Sequence, residues 1–157
     1  KGRAAFTPEQ QTRLMLDGDL PEAASAQLKE ILQQSHCNLL PEQAIAPMIL
    51  VQRARDGALA AALLDALKSG ADGAVLIAGA GHVRRDLAVP RILESAKPAS
   101  RTLAVAFIEV DEDIETAEDY DVLDYYDFVV FTPRADLTDH CAELAEQMKT
   151  KPPVRSD

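Results

Sequence analysis

Apolar positions change their period once along this chain, and the change divides it. From Phe6 to Cys37 they recur at helical spacing, with Leu28, Ile31 and Leu32 on one stripe. Thr7-Pro8-Glu9-Gln10 offers a cap residue followed by a proline for the first helical position. Gly18 ends that helix, and Leu20-Pro21-Glu22 opens a second. Pro41 predicts only a short turn, because Pro47 follows closely and a proline inside a helix breaks or kinks it. A long helix is predicted from about Pro47 to Lys68, stopped by Gly70. Its stripe of Met48, Gln52, Arg55, Leu59, Leu63 and Ala66 is apolar in its C-terminal half and polar in its N-terminal half, with Asp56 alongside. Such a stripe either enters a pocket or runs out into solvent.

After residue 70 the runs become short, continuous and β-branched. Ala74–Ala78, Arg101–Val110 and Asp127–Pro133 read as three strands covered on both faces. A helix-length segment from Val83 to Lys97, interrupted by Pro90, separates the first two, and a capped helix from Asp139 to Lys149 follows the third. This order predicts an α/β fold, a mainly parallel β-sheet flanked by helices with an N-terminal helical segment. Residues 1–70 form the helical segment and 71–150 the sheet region of one domain, with 151–157 a disordered tail. Three strands are few for such a sheet. Further strands are expected from sequence outside this chain or from another subunit.

Composition sharpens this picture. A chain of 157 residues, 47% hydrophobic, fits one globular domain that buries a core without staples. The net charge is −10, and the segment Thr102–Pro133 contains ten carboxylates and no Lys or Arg, which accounts for all of it. A chain without a basic footprint is not expected to bind nucleic acid. The acidic segment reads as a solvated loop, and its spacing is not that of a calcium-binding loop. Cys37 and Cys141 each follow a histidine, His36 and His140; alone they could be thiols, a disulfide or metal ligands.

Gly79-Ala80-Gly81-His82-Val83-Arg84-Arg85-Asp86 leaves the first predicted strand at its carboxyl end, where parallel sheets place ligand sites. Gly79 and Gly81 let a ligand approach the main chain. The sixth residue of the pattern is Arg84 rather than Gly, so a dinucleotide loop fits poorly.

Gly79 to Pro90 closely resembles the G-N-G-H-x-R-x-D-x-G-V-P signature of the ChaN-like haem-binding lipoproteins, related to the Tiki/TraB and erythromycin-esterase-like group. Ser35 to Glu42 is similar to that family's A-H-C-x-x-L-P-E segment, and Met48 with Val51–Asp56 to its P-M-x-x-x-Q-x-x-R-D helix. Tyr126–Phe128 with Phe131–Arg134 is similar to its Y-D-Y-x-x-F-T-P-R strand. Ala80 and Ala88 depart from the usual Asn and Gly. The family's N-terminal G-E-x-H strand has no counterpart here, so the residues are expected to be the C-terminal part of a longer protein.

The resemblance implies haem as cofactor, tyrosine ligation, and a homodimer at the periplasmic face of a bacterial membrane, held by a lipid anchor that this chain does not contain. It also implies an exported protein, in which Cys37 and Cys141 could pair. The implied cofactor-binding residues are His82, Arg84, Arg85, Gly79, Gly81, Tyr126, His36, Gln52 and Arg55, with the Arg84-Arg85 pair for the haem carboxylates and Met48 and Leu59 walling the plate. His140, Tyr120 and Tyr125 are further axial candidates. The alternative is a metal-dependent hydrolase of the wider group, with His82 as ligand or general base.

Overall fold

A computed structural model describes residues 2–98 and 100–150. The N-terminal half is helical: α1 (Pro8–Arg13), α2 (Glu22–Ser35) and α3 (Glu42–Lys68). Thr7 caps α1 through a reciprocal box with Gln10: the Gln10 N–H donates to Thr7 Oγ1 at 3.2 Å and the Thr7 N–H to Gln10 Oε1 at 2.8 Å. The chain leaves α1 after Arg13, earlier than Gly18, through Met15 at φ 54°.

α3 starts at Glu42, so Pro47 lies inside it and the predicted turn at Pro41 is the helix N-cap. A proline there removes one ladder bond near the helix start. Packing supports that first turn instead, since Ile45 is buried and α3 lies against α2, whose Leu28 and Leu32 are also buried.

α4 (Val89–Ala96) accommodates Pro90 in its first turn, where no intrahelical donor is lost. It packs on α3 around Ala60, Val89 and Leu93. β1 (Val105–Glu109) and β2 (Phe128–Thr132) pair in parallel, Val105 opposite Phe128 and Glu109 opposite Thr132. Asp139 Oδ1 accepts the Cys141 and Ala142 N–H groups, both at 3.0 Å, and starts α5 (His140–Thr150). The predicted tail 151–157 lies outside the described residues. No helix among the described residues is long and apolar enough to cross a membrane.

The mixed α/β class is as expected, but among the described residues the sheet has two strands rather than three. Ala74–Ala78 is extended with strand-like alternation: Leu76 packs on the α3–α4 core, while Val75 and Ile77 are 89% and 94% exposed. Among the described residues it has no paired neighbour, so its apolar pattern is present without a hydrogen-bond ladder. The same incompleteness marks one face of the sheet. Ala106 and Ile108 of β1 and Val129 of β2 face a second small core with Ala104 and Tyr126. Val105, Phe107, Phe128 and Val130 project from the other face and are exposed. A parallel sheet normally has both faces covered.

Gly57 fixes the loop after α1. A Cβ there would lie 1.9 Å from the Leu14 carbonyl oxygen. Alanine in a helix is ordinarily worth about 1 kcal/mol over glycine. Here Gly57→Ala is expected to reverse that sign and destabilise by roughly 1–3 kcal/mol through overpacking, read as a lower midpoint in urea. An unchanged or higher midpoint would show that the loop does not press on α3.

Cys37 and Cys141 form a disulfide with Cα atoms 5.5 Å apart and a sequence separation of 104. It ties α5, half-buried only at Leu144 and Ala145, to the end of α2. Closing a loop this long is worth about 4–5 kcal/mol in the chain-entropy account. Reductant is expected to lower the unfolding midpoint accordingly, and thiol titration of the folded, unreduced protein is expected to find no free cysteine.

Candidate functional site

The site is built where α3 meets the Gly79–Asp86 segment. Gly79 leads into a 3-10 turn, Ala80–Val83. Two bonds fasten this segment to residues just ahead of β2. The Tyr126 hydroxyl donates to the Ala80 carbonyl at 3.2 Å, and the Arg85 N–H donates to the Tyr125 carbonyl at 3.0 Å. The turn is therefore fastened beside the amino end of β2. The sequence order had placed His82 at the carboxyl edge of the sheet; that placement changes because Ala74–Ala78 does not join the ladder.

His82 reaches back to α3. Its Nδ1 lies 2.6 Å from Asp56 Oδ1 and 3.1 Å from the Gln52 side-chain amide. An ionised carboxylate only accepts, so Nδ1 carries the hydrogen and donates it to Asp56. The Gln52 amide then turns its oxygen to the same hydrogen, an exchange of O and N that leaves the side chain in place. Nε2 is left as the basic nitrogen, with no protein partner among the described residues.

Asp56 is 3% exposed, and burial pushes its carboxyl above the ordinary value, with the His82 hydrogen bond acting against that shift. The polar half of the α3 stripe predicts Gln52, Arg55 and Asp56 beside the His82 loop, and all three lie there. For Asp56 the signal was a lone carboxylate among the small residues of the helix.

A cavity of about 490 Å³ opens over this pair. Leu28, Ile31, Leu32, Met48 and Val51 give it an apolar wall, and Gly79, Gly81 and His82 form the opposite part of its lining. Neither glycine has a positive φ, so left-handed backbone is not what they provide here. A Cβ at either would meet nothing within 4 Å, so the main chain borders open space. His36 also lines the cavity. Its Nδ1 lies 2.9 Å from the Leu32 carbonyl, which can only accept, so this ring too keeps Nε2 as its basic nitrogen. Arg55 lines the cavity as well, exposed and without an ion pair among the described residues.

The remaining candidates are placed elsewhere. The Arg84-Arg85 pair is already committed. The Arg84 Nε and Nη2 donate to the two Asp86 oxygens at 3.0 and 2.7 Å, and its guanidinium lies 3.5 Å from the centre of the Tyr125 ring. Burial pulls the Arg84 pKa down, but the Asp86 hydrogen bond and charge outweigh it and raise the pKa overall. Arg84 touches the cavity lining, whereas Arg85 pairs with Asp127 at 2.9 Å outside it. The Arg-x-Asp spacing was a readable sign of the first pairing.

Tyr126 is 8% exposed in the sheet core and does not line the cavity. Burial pushes its phenol up, which keeps it a neutral donor to Ala80. Tyr120 packs tilted against Phe131, ring centres 4.7 Å apart, and His140 lies near Asp136 and Glu143, both outside the cavity. Of the two walls expected for a plate, Met48 lines the cavity, while Leu59 packs into the α3–α4 core. Among the described residues no group of three or more His, Cys, Asp or Glu is arranged to hold a metal ion.

A family model described as haem-binding uptake, Tiki superfamily, ChaN matches residues 1–93. The chain belongs to this family. The matched stretch carries α2, α3, the Gly79–Asp86 segment and the start of α4, and so holds every cavity-lining residue named here. Tyr126 lies beyond it. No curated protein and no solved structure matches the chain.

The raised Asp56 pKa fixes a pH dependence. Between the unfolded value, about 3.8, and the raised folded value, the folded state holds a proton that the unfolded chain has released. Stability from this group is present below the unfolded value and lost as pH rises through the folded one. Wild type is therefore expected to lose stability relative to Asp56→Asn across that window, measured by urea unfolding at a series of pH values. A pH-independent difference would mean that Asp56 ionises as freely folded as unfolded.

Proposed function

We propose that this chain binds haem in the cavity between α3 and the Gly79–Asp86 segment, where His82 Nε2 would be the nitrogen that holds the iron. The observation that carries this reading is the carboxylate-held His82 ring beside an apolar wall. Haem is a flat apolar plate with two carboxylates and one iron. The wall from Leu28 to Val51 suits the plate, an unprotonated imidazole nitrogen suits the iron, and Arg55 suits a propionate. Gln52 and Asp56 hold the ring orientation and make it a better donor, as outer carboxylates do for metal-bound histidines. Gly79 and Gly81 leave room for the plate edge, and His36 offers a second nitrogen from α2. Bound haem would supply its iron as the ligand-binding and redox centre.

The family description supports haem uptake as the setting. We further propose an exported, lipid-anchored homodimer at the periplasmic face of a bacterial membrane. The disulfide supports an oxidising compartment, and the open apolar sheet face supports association.

Hydrolysis with His82 as general base is the second reading, favoured by the same orientation of the ring by Asp56. Zinc or manganese found by elemental analysis in a protein that gives no Soret band with haemin would support it.

Haemin titration of wild type is expected to give a saturable Soret band. His82→Ala is expected to weaken binding at least about tenfold, a loss of about 1.4 kcal/mol, and Arg55→Gln by a smaller factor. Arg85→Ala, whose guanidinium is committed to Asp127, is expected to bind as wild type does. Equal affinity in wild type and His82→Ala would reject the reading.

A further inference from the structure

Asp56 borders a second cavity, on the side of α3 that faces α4 and the loop after α1. It measures about 350 Å³, within the range of small-molecule sites. Met15, Leu20, Leu87 and Ile92 make its apolar lining, and Arg53 and Arg91 bring two guanidinium groups to it.

Arg91 is the unusual residue. It sits in the first turn of α4, at the positive end of the helix dipole, where a cation is disfavoured, and no acidic residue shares that turn. Its half-buried guanidinium has no hydrogen bond or ion pair among the described residues. Arg53 donates to the Gly18 carbonyl at 2.6 Å and has no carboxylate in ion-pair contact among the described residues, with Arg3 near enough to repel it and Asp19, outside the lining, near enough to attract it. Within the lining itself one carboxylate, Asp56, stands against these two cations, and it is already bonded to His82. The lining thus carries one net positive charge, facing apolar side chains and a helix N-terminus.

We propose that this cavity is a second binding site, for an apolar monocarboxylate of the fatty-acid class. Arg91 takes the carboxylate through paired, charge-assisted hydrogen bonds, and the hydrocarbon chain lies against Met15, Leu20 and Ile92. The Arg53–Gly18 bond holds the loop that roofs the chain. Asp56 and Leu87 border both cavities, but His82 does not line this one.

The probe is octanoate, titrated calorimetrically into the oxidised protein, with octanamide as the neutral analogue. Octanoate is expected to bind with one-to-one stoichiometry, and octanamide at least tenfold more weakly. Arg91→Gln is expected to lose at least tenfold in octanoate affinity with an unchanged unfolding midpoint, since Arg91 has no protein partner to lose. Arg91→Lys should recover part of that loss, and Arg85→Ala, whose guanidinium is committed to Asp127 outside both cavities, should bind octanoate as wild type does. Absence of octanoate binding, or equal binding by wild type and Arg91→Gln, would overturn the proposal. So would haemin displacing octanoate one for one, since that result puts the ligand in the other cavity.

Discussion

A carboxylate enclosed in the middle of a helix must be paired or neutral, and Asp56 makes that demand of everything around it. An unpaired buried charge costs several kcal/mol even after relaxation. His82 answers the demand from a segment 26 residues away, so one bond fastens α3 to the turn that follows the extended run. Gly57, the next residue of α3, lets the Leu14 carbonyl approach so closely that the loop after α1 closes over the helix there. Asp56 is therefore enclosed by the loop after α1 and by the His82 turn together, and both cavities exist because these segments converge on it.

The distribution of charge follows from the same arrangement. The acidic segment supplies none of the side chains that line the cavity beside His82. It meets the site through the Tyr126 hydroxyl and the Tyr125 carbonyl, which hold the turn, and through Asp127, which accepts the Ala104 N–H at 2.8 Å and pairs with Arg85. That pair helps set the turn's backbone against the sheet. Arg84 does the same with its Asp86 fork and its stacking on Tyr125. Two arginines that look like ligands for an anion are structural here, and the cation left open to the cavity is Arg55, on the helix opposite.

Local signals carried much of this into the sequence. The Thr7 box, the helix to Lys68 and the runs that became β1 and β2 were legible because each depends on neighbours in the chain. So was the polar half of the α3 stripe, whose Gln52, Arg55 and Asp56 lie at the cavity. The Gly79–Asp86 turn and the paired cysteines came through family resemblance, not periodicity. Pro47 misled because a rule for isolated helices ignores the packing of Ile45 on α2. Ala74–Ala78 misled because a strand is a property of two segments, and its apolar alternation says nothing of whether a neighbour is present. The commitments of Arg85 to Asp127 and of Tyr126 to Ala80 join residues far apart in sequence, where no spacing could reveal them.

The disulfide has a further consequence for how the molecule survives damage. Cys37 and Cys141 enclose α3, the His82 turn, α4, both strands and the acidic loop in one covalent ring. A protease that cuts the exposed acidic loop opens the ring without releasing either piece. The nicked molecule keeps its mass under oxidising conditions and separates into two fragments only when the bond is reduced. Its helical half, which holds both cavities, stays tethered to the strands that pin the His82 turn. In a compartment rich in proteases, a single cut would then leave the binding region intact, and loss of function would require a reductant as well as an enzyme.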